Sequence, residues 1–274
     1  MRTLLVLILI LWSPLALAID LTGEMTQGSL LRGKTDPGTE LKMDGQVVRV
    51  DPDGRFVLGF NRNAALHHQL VAQKPDGTLE TLTIALTERD YDIQRIDGLP
   101  DRTVTPPRTK EVQDRIAAEF AQIREARKRA TPITDVFEDF IWPSKGIISG
   151  VFGSQRILNG QPRNPHSGVD VAAPTGTPIV APAGGVISLA EKDHYFTGGT
   201  VMLDHGHGVQ SIFAHMSEVD VVPGQRVRQG ERIGAIGATG RATGPHLHWG
   251  LSWFGARLDP ALLVPPMPAP KKAD

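Results

Sequence analysis

Three short segments place imidazoles and a carboxylate where one divalent metal could be held. The first is Pro165-His166-Ser167-Gly168-Val169-Asp170. Imidazole plus carboxylate is an ordinary zinc pair. In a straight strand, positions four apart share a face but lie ~13 Å apart along it, too far for one ion. Pro165 and Gly168 allow a bend, which puts His166 on a loop and Asp170 on a strand that starts there. The second segment is Gly244-Pro245-His246-Leu247-His248-Trp249-Gly250. In a strand, His246 and His248 project to one side, ~7 Å apart, while Leu247 and Trp249 point to the core. One imidazole can bind metal while its neighbour handles protons, and spacing does not say which. The third, Ser211-Ile212-Phe213-Ala214-His215-Met216, ends an apolar strand on a histidine. Alone it reads as a core or edge histidine; beside the other two it joins them. His194, His205 and His207 are weaker candidates, because Asp204-His205-Gly206-His207-Gly208 reads as a turn. Three protein donors leave a fourth zinc position for water, as in catalytic sites, and that water has a pKa of ~7.

These residues need a scaffold. Residues 143–264 are rich in Gly, Pro and short Val/Ile runs and hold seven of the nine histidines, which predicts an all-β domain. Residues 19–100 predict a second, small β-sandwich or barrel, with turns at Asp36-Pro37-Gly38, Asp44-Gly45, Asp51-Pro52-Asp53-Gly54 and Pro75-Asp76-Gly77. Gln46–Val50 and Arg55–Phe60 read as one hairpin, and Gln69–Lys74 with Thr78–Leu86 as another. His67 and His68 have no carboxylate at ligand spacing and read as surface residues. Residues 101–142 form a linker and a helix. Pro100–Pro107 is the linker, and Thr109–Arg129 reads as a helix capped by Thr109, its apolar stripe Val112, Ile116, Phe120 and Ile123 docking between domains. The tail, 265–274, reads as extended or disordered.

The remaining composition mostly excludes. A net charge of −1 gives no basic field for nucleic acid or anionic lipid. With no cysteine, thiolate zinc sites, disulfides and a cysteine nucleophile are ruled out. Arg2, the apolar run Leu4–Trp12 and Ala16-Leu17-Ala18 have the form of a secretory signal, cleaved after Ala18. The run is too short for the ~30 Å of a bilayer core, so no stable membrane insertion is expected after cleavage.

Residues 143–262 resemble the lysostaphin-like zinc endopeptidases that cut peptidoglycan cross-bridges. The matching segments are Ser149–Gly153, Pro165–Pro174, Ile179–Ile187, Leu203–Gly206, Phe213–Met216 and Thr239–Trp249. The resemblance implies Zn2+ held by His166, Asp170 and His248, with His215 and His246 as general base and transition-state stabiliser. It implies an antiparallel β fold with an open groove for an extended peptide. It also implies export, to the periplasm before the medium. Phe213 stands where the family usually has tyrosine, so a hydroxyl is lost. Tyr195 or Arg163 is then a candidate oxyanion stabiliser. The N-terminal domain is expected to contact the groove, bind glycan or hold a partner. Two rival readings remain. Some relatives of this fold lack the ligands and act as regulators of other wall hydrolases, whereas all five residues are present here. Val222–Gly234 also looks like a lipoyl- or biotinyl-carrier hairpin, but residues 219–236 hold no lysine to modify.

Overall fold

The computed structural model describes residues 19–98 and 109–267. The expected export segment 1–18, the Pro100–Pro107 linker and tail residues 268–274 lie outside the described residues. Among the described residues the chain is mainly β with one α-helix.

The N-terminal part is a sandwich of two small sheets. Strands β1 (Asp20–Thr22), β2 (Leu30–Lys34), β3 (Glu40–Met43), β4 (Gln46–Val48), β5 (Arg55–Gly59), β6 (His67–Gln73) and β7 (Leu79–Ala85) build it. The sheet orders are β1-β2-β5 and β4-β3-β6-β7. Leu31, Phe56 and Leu58 of one sheet pack on Leu41, Leu70, Ala72 and Ile84 of the other. The expected β6–β7 hairpin forms. The hairpin expected across Asp51–Gly54 does not. β4 pairs back on β3 through Asp44-Gly45, and β5 pairs with β2 in the opposite sheet. The Asp51 turn itself exists, since the Asp51 carboxylate accepts from the Asp53 and Arg55 N–H groups. Local turn chemistry fixes the bend but not which sheet receives the next strand. His68 also departs from the surface reading: its Nδ1 lies 2.5 Å from Asp44 Oδ2. Asp44 reaches it across the β3–β6 ladder, a non-local contact.

Helix α1 (Lys110–Arg127) starts on Thr109, whose hydroxyl accepts from Val112 N. Ile123 and Ala126 pack on Leu189, Met202 and Ile212. Phe120, expected in the docking stripe, is 43% exposed and stacks on Phe196 instead, with ring centroids 6.0 Å apart. Among the described residues no helix is long and apolar enough to cross a membrane.

The second part is one ten-stranded sheet: β9 (Ile147–Gly150), β12 (Gly168–Ala172), β13 (Pro178–Val180), β14 (Gly185–His194), β15 (Gly198–Gly206), β16 (Val209–Val219), β17 (Arg226–Val227), β18 (Arg232–Ile236), β19 (His246–Trp253) and β20 (Ala256–Leu258). Its spine runs β17-β14-β15-β16-β19-β12-β9, with antiparallel pairing throughout. Every residue of β15 is buried, because Val201 and Leu203 face the main core and Met202 faces α1. The two parts also share a third, small sheet. β8 (Ile93–Ile96) runs parallel to β10 (Gln155–Leu158), which pairs with β11 (Gln161–Pro162). The start of the tail packs instead of trailing free: Trp142 Nε1 donates to Pro265 O at 2.7 Å, and Met267 touches the core.

His205, expected in a turn, lies fully buried in β15 with Nδ1 on Gly184 O and Nε2 on Ser211 Oγ. Burial pushes it down to about 4. It is therefore neutral in the fold, whereas the unfolded chain takes up a proton near 6.5. Its stabilising contribution is intact above that value and is lost as pH falls toward 4. Melting temperature is expected to drop across that window, with a shallower slope in His205→Gln.

Candidate metal centre and active site

Asp170 and His248 are direct cross-strand partners of β12 and β19, so both side chains leave the same face. Gly150 on the other side makes room for the carboxylate; a Cβ there would lie 2.4 Å from Asp170 Oδ2. His166 arrives from the loop before β12. Its N–H donates to Ser154 O, its carbonyl accepts from Gly153 N–H, and its Nδ1 donates to Val151 O at 2.9 Å. Gly168 is required where this loop enters the strand, because a Cβ would stand 2.3 Å from Trp249 O. Gly168→Ala is expected to push β12 off β19 and destabilise the fold by about 1–3 kcal/mol, measurable as a fall in melting temperature.

Three atoms close a nearly equilateral triangle. His166 Nε2 is 3.0 Å from both Asp170 Oδ1 and His248 Nδ1, and His248 Nδ1 is 2.9 Å from Asp170 Oδ1. A tetrahedral zinc with arms of ~2.0–2.1 Å sets donors ~3.3 Å apart, close to this spacing. The hydrogen bond to Val151 O fixes the His166 tautomer, so Nε2 turns a lone pair toward the carboxylate. Two acceptors facing each other require a cation between them. A proton answers that need in part. Burial lowers the His166 pKa, but the hydrogen bond and charge of Asp170 outweigh it and raise the pKa overall. Burial likewise opposes ionisation of Asp170, yet the two imidazoles hold it well below the usual carboxylate range.

His215 and His246 form a second pair, with ring centroids 4.6 Å apart; His215 lies 6.4 Å from His248. Strand alternation would bury His215 beside Phe213. A β-bulge prevents this. Val201 pairs with Phe213 and Gly199 with Met216, which leaves an extra residue on β16, and His215 takes φ +63°. The left-handed residue turns the imidazole toward the histidines of β19. His215 Nδ1 donates to Thr239 O and His246 Nδ1 to Gly244 O, both at 2.9 Å. Each Nε2 is thereby left as an acceptor. Burial foremost, with the charges of His246 and His248, pushes His215 down to about 4, so it is neutral and able to take a proton near neutral pH.

None of the other candidates is a corner of the donor triangle. His194 bonds Gln122 of α1, and His207 packs edge-on against Phe137. Tyr195 sets its ring edge-on to Phe196 beside α1, and Arg163 follows β11 with its N–H on Arg156 O. The N-terminal sandwich does meet the site's supporting loop. Arg62 Nε donates to Gly153 O at 2.8 Å, and the Tyr91 ring covers Gly153. Nothing in the motif spacing foretold this brace.

The profile of Peptidase family M23 matches residues 164–260. A crystal structure assigned to peptidase M23 from Pseudomonas aeruginosa superposes with a TM-score of 0.67 at 30% identity, over 88% of this chain and 95% of that one. The chain belongs to peptidase family M23. It is 42% identical over 109 residues to the DD-carboxypeptidase/endopeptidase Mpg of Neisseria meningitidis serogroup B, covering 40% of this chain and 25% of the relative. It is 37% identical over 125 residues to the peptidoglycan DD-endopeptidase ShyA of Vibrio cholerae serotype O1, covering 45% of this chain and 29% of the relative. The chain thus spans under a third of the length of these curated relatives.

Proposed function

We propose that this protein is an exported zinc-dependent endopeptidase that hydrolyses peptide cross-links of peptidoglycan. The observation that carries the reading is the 2.9–3.0 Å triangle of His166 Nε2, Asp170 Oδ1 and His248 Nδ1. Two imidazoles and one carboxylate are a zinc donor set that leaves a position open. Zinc held there would polarise the scissile carbonyl and make hydroxide available near neutral pH. In this reading His166, Asp170 and His248 hold the metal. His215 and His246 offer Nε2 lone pairs, one to take the attacking water's proton, the other to steady charge in the transition state. The names of the Mpg and ShyA relatives support peptidoglycan as the substrate. Export rests on the residues 1–18 pattern and the periplasm on family resemblance, and residues 19–98 form the module that braces the His166 loop. Incubating the protein with purified peptidoglycan and separating the muropeptides by mass spectrometry tests the reading. Loss of cross-linked dimers with matching gain of monomers is expected, and it stops with a zinc chelator. An unchanged dimer fraction would refute it, and would favour a regulator of other wall hydrolases.

Thr239 is a positioning residue in this scheme. Its hydroxyl donates to Met216 O at 2.8 Å and accepts from Gly199 N–H at 2.9 Å, filling the gap that the His215 bulge opens. Its carbonyl holds His215 Nδ1. Thr239→Val keeps the shape and loses both hydroxyl bonds. A fall in kcat of about 10- to 100-fold is expected, with KM and zinc content little changed and activity restored by Thr239→Ser.

A further inference from the structure

The sheet face that carries His248 continues along β19 through Gly250 to Ser252, and the register sets Ser252 between Gln210 of β16 and Arg257 of β20. The last turn of α1 lies over this row. Ile123 and Ala126 pack on Ile212, which shares a strand face with Gln210, and Arg127 follows Ala126. Arg127 and Arg257 are both half-buried. Burial first, and the charge of Arg257 second, push Arg127 down to about 9, so it stays cationic near neutral pH. Arg257 is lowered by burial.

The donors on this patch are unsatisfied. Arg127 Nε and Arg257 Nη1 are buried without a hydrogen-bond partner among the described residues. Gln210 is 1% exposed; its Oε1 accepts from the Ser188 hydroxyl at 2.8 Å, but its Nε2 has no partner. Asp204, the carboxylate opposite Gln210, is occupied by the Thr131 hydroxyl and Gly206 N–H. Buried donors are nearly always paired, and buried charges nearly always compensated. Two guanidiniums near enough for the charge of one to act on the other, on the same sheet face as an orphan amide, therefore lack one thing, an acceptor that carries negative charge. Planar guanidinium forks fit oxyanions best.

We propose that Arg127, Arg257 and Gln210 form an oxyanion-binding site for phosphate or carboxylate, on the metal-bearing face and ~13 Å along β19 from His248. The site stands on its own residues and does not depend on the peptidase reading.

Melting curves of the zinc-loaded full chain in chloride, phosphate and acetate, at matched ionic strength, test it. The anion is expected to raise the melting temperature by about 2–4 °C. A larger rise in phosphate assigns the site to phosphoryl groups, and a larger rise in acetate to carboxylates. Arg127→Gln and Arg257→Gln are each expected to remove the rise and to melt no lower than the parent in chloride, since an uncompensated charge is gone. No rise in the parent with either anion would overturn the proposal. So would a rise that survives in both variants, because that would place the anion at the metal cluster.

Discussion

Asp170→Ala is expected to lose zinc and, with it, peptidoglycan hydrolysis. Asp170 Oδ1 is one corner of the donor triangle and the only anionic one. Without it two neutral imidazoles face one another at 3.0 Å across a half-buried pocket, with nothing to offset a divalent charge. Even outer-shell partners of a metal ligand cost about 10- to 100-fold in affinity, so loss of the charged ligand is expected to cost more than that. Asp170→Asn separates charge from shape: it keeps an oxygen donor and removes the negative charge, and zinc loss of similar order is expected. Both variants are to be equilibrated in a chelator-buffered zinc series and the bound metal counted by mass spectrometry. If Asp170→Ala retained the parent's zinc at the same free concentration, the assigned donor set would be wrong. Folding gives an independent readout. The two imidazoles hold the Asp170 pKa below its unfolded value, so the carboxylate stabilises the metal-free fold above the ordinary carboxylate range. That contribution fades as pH falls, and the metal-free Asp170→Ala protein is expected to lack it.

The parts of this site that local chemistry controls were legible in the sequence. Pro165 and Gly168 foretold the bend that frees His166 from the strand, and alternation placed Leu247 and Trp249 in the core with His246 and His248 on the far face. Strand register was not legible. That Asp170 lies opposite His248 depends on chain folding across a sequence separation of 78 residues. The same ignorance produced the wrong hairpin, where Asp51–Gly54 turns the chain but hands β5 to β2. It hid the parallel β8–β10 pairing, through which the N-terminal sandwich grips the loop bearing His166. The His215 bulge was hidden for another reason. A non-glycine residue at φ +63° gives no compositional signal, and the period-2 rule assigns it the wrong face. The only local hints are Gly199, where a Cβ would lie 2.4 Å from Met216 O, and Thr239, whose hydroxyl fills the gap. Candidate ligands can thus be named from spacing, whereas the residues that aim them emerge only from pairing.

His215→Ala and His246→Ala are expected to keep zinc and lose turnover. Neither side chain is a corner of the triangle, so metal content is expected to match the parent. Each offers an Nε2 whose tautomer is set by a backbone carbonyl, Thr239 O for His215 and Gly244 O for His246. Removing a positioned general acid or base lowers rate by about 10²- to 10⁴-fold, and a drop in kcat of that size is expected for each. The rings lie 4.6 Å apart and in the proposed reaction would act on one substrate atom cluster, so their losses are expected not to be independent. The double variant is therefore expected to be little slower than the worse single one. Single-turnover hydrolysis of a purified cross-linked muropeptide, with zinc verified in every sample, gives the four rates required. Full additivity of the two losses would mean that the imidazoles serve separate steps. A His215→Ala enzyme with parental turnover would remove His215 from the chemistry and leave its bulge without a catalytic reason.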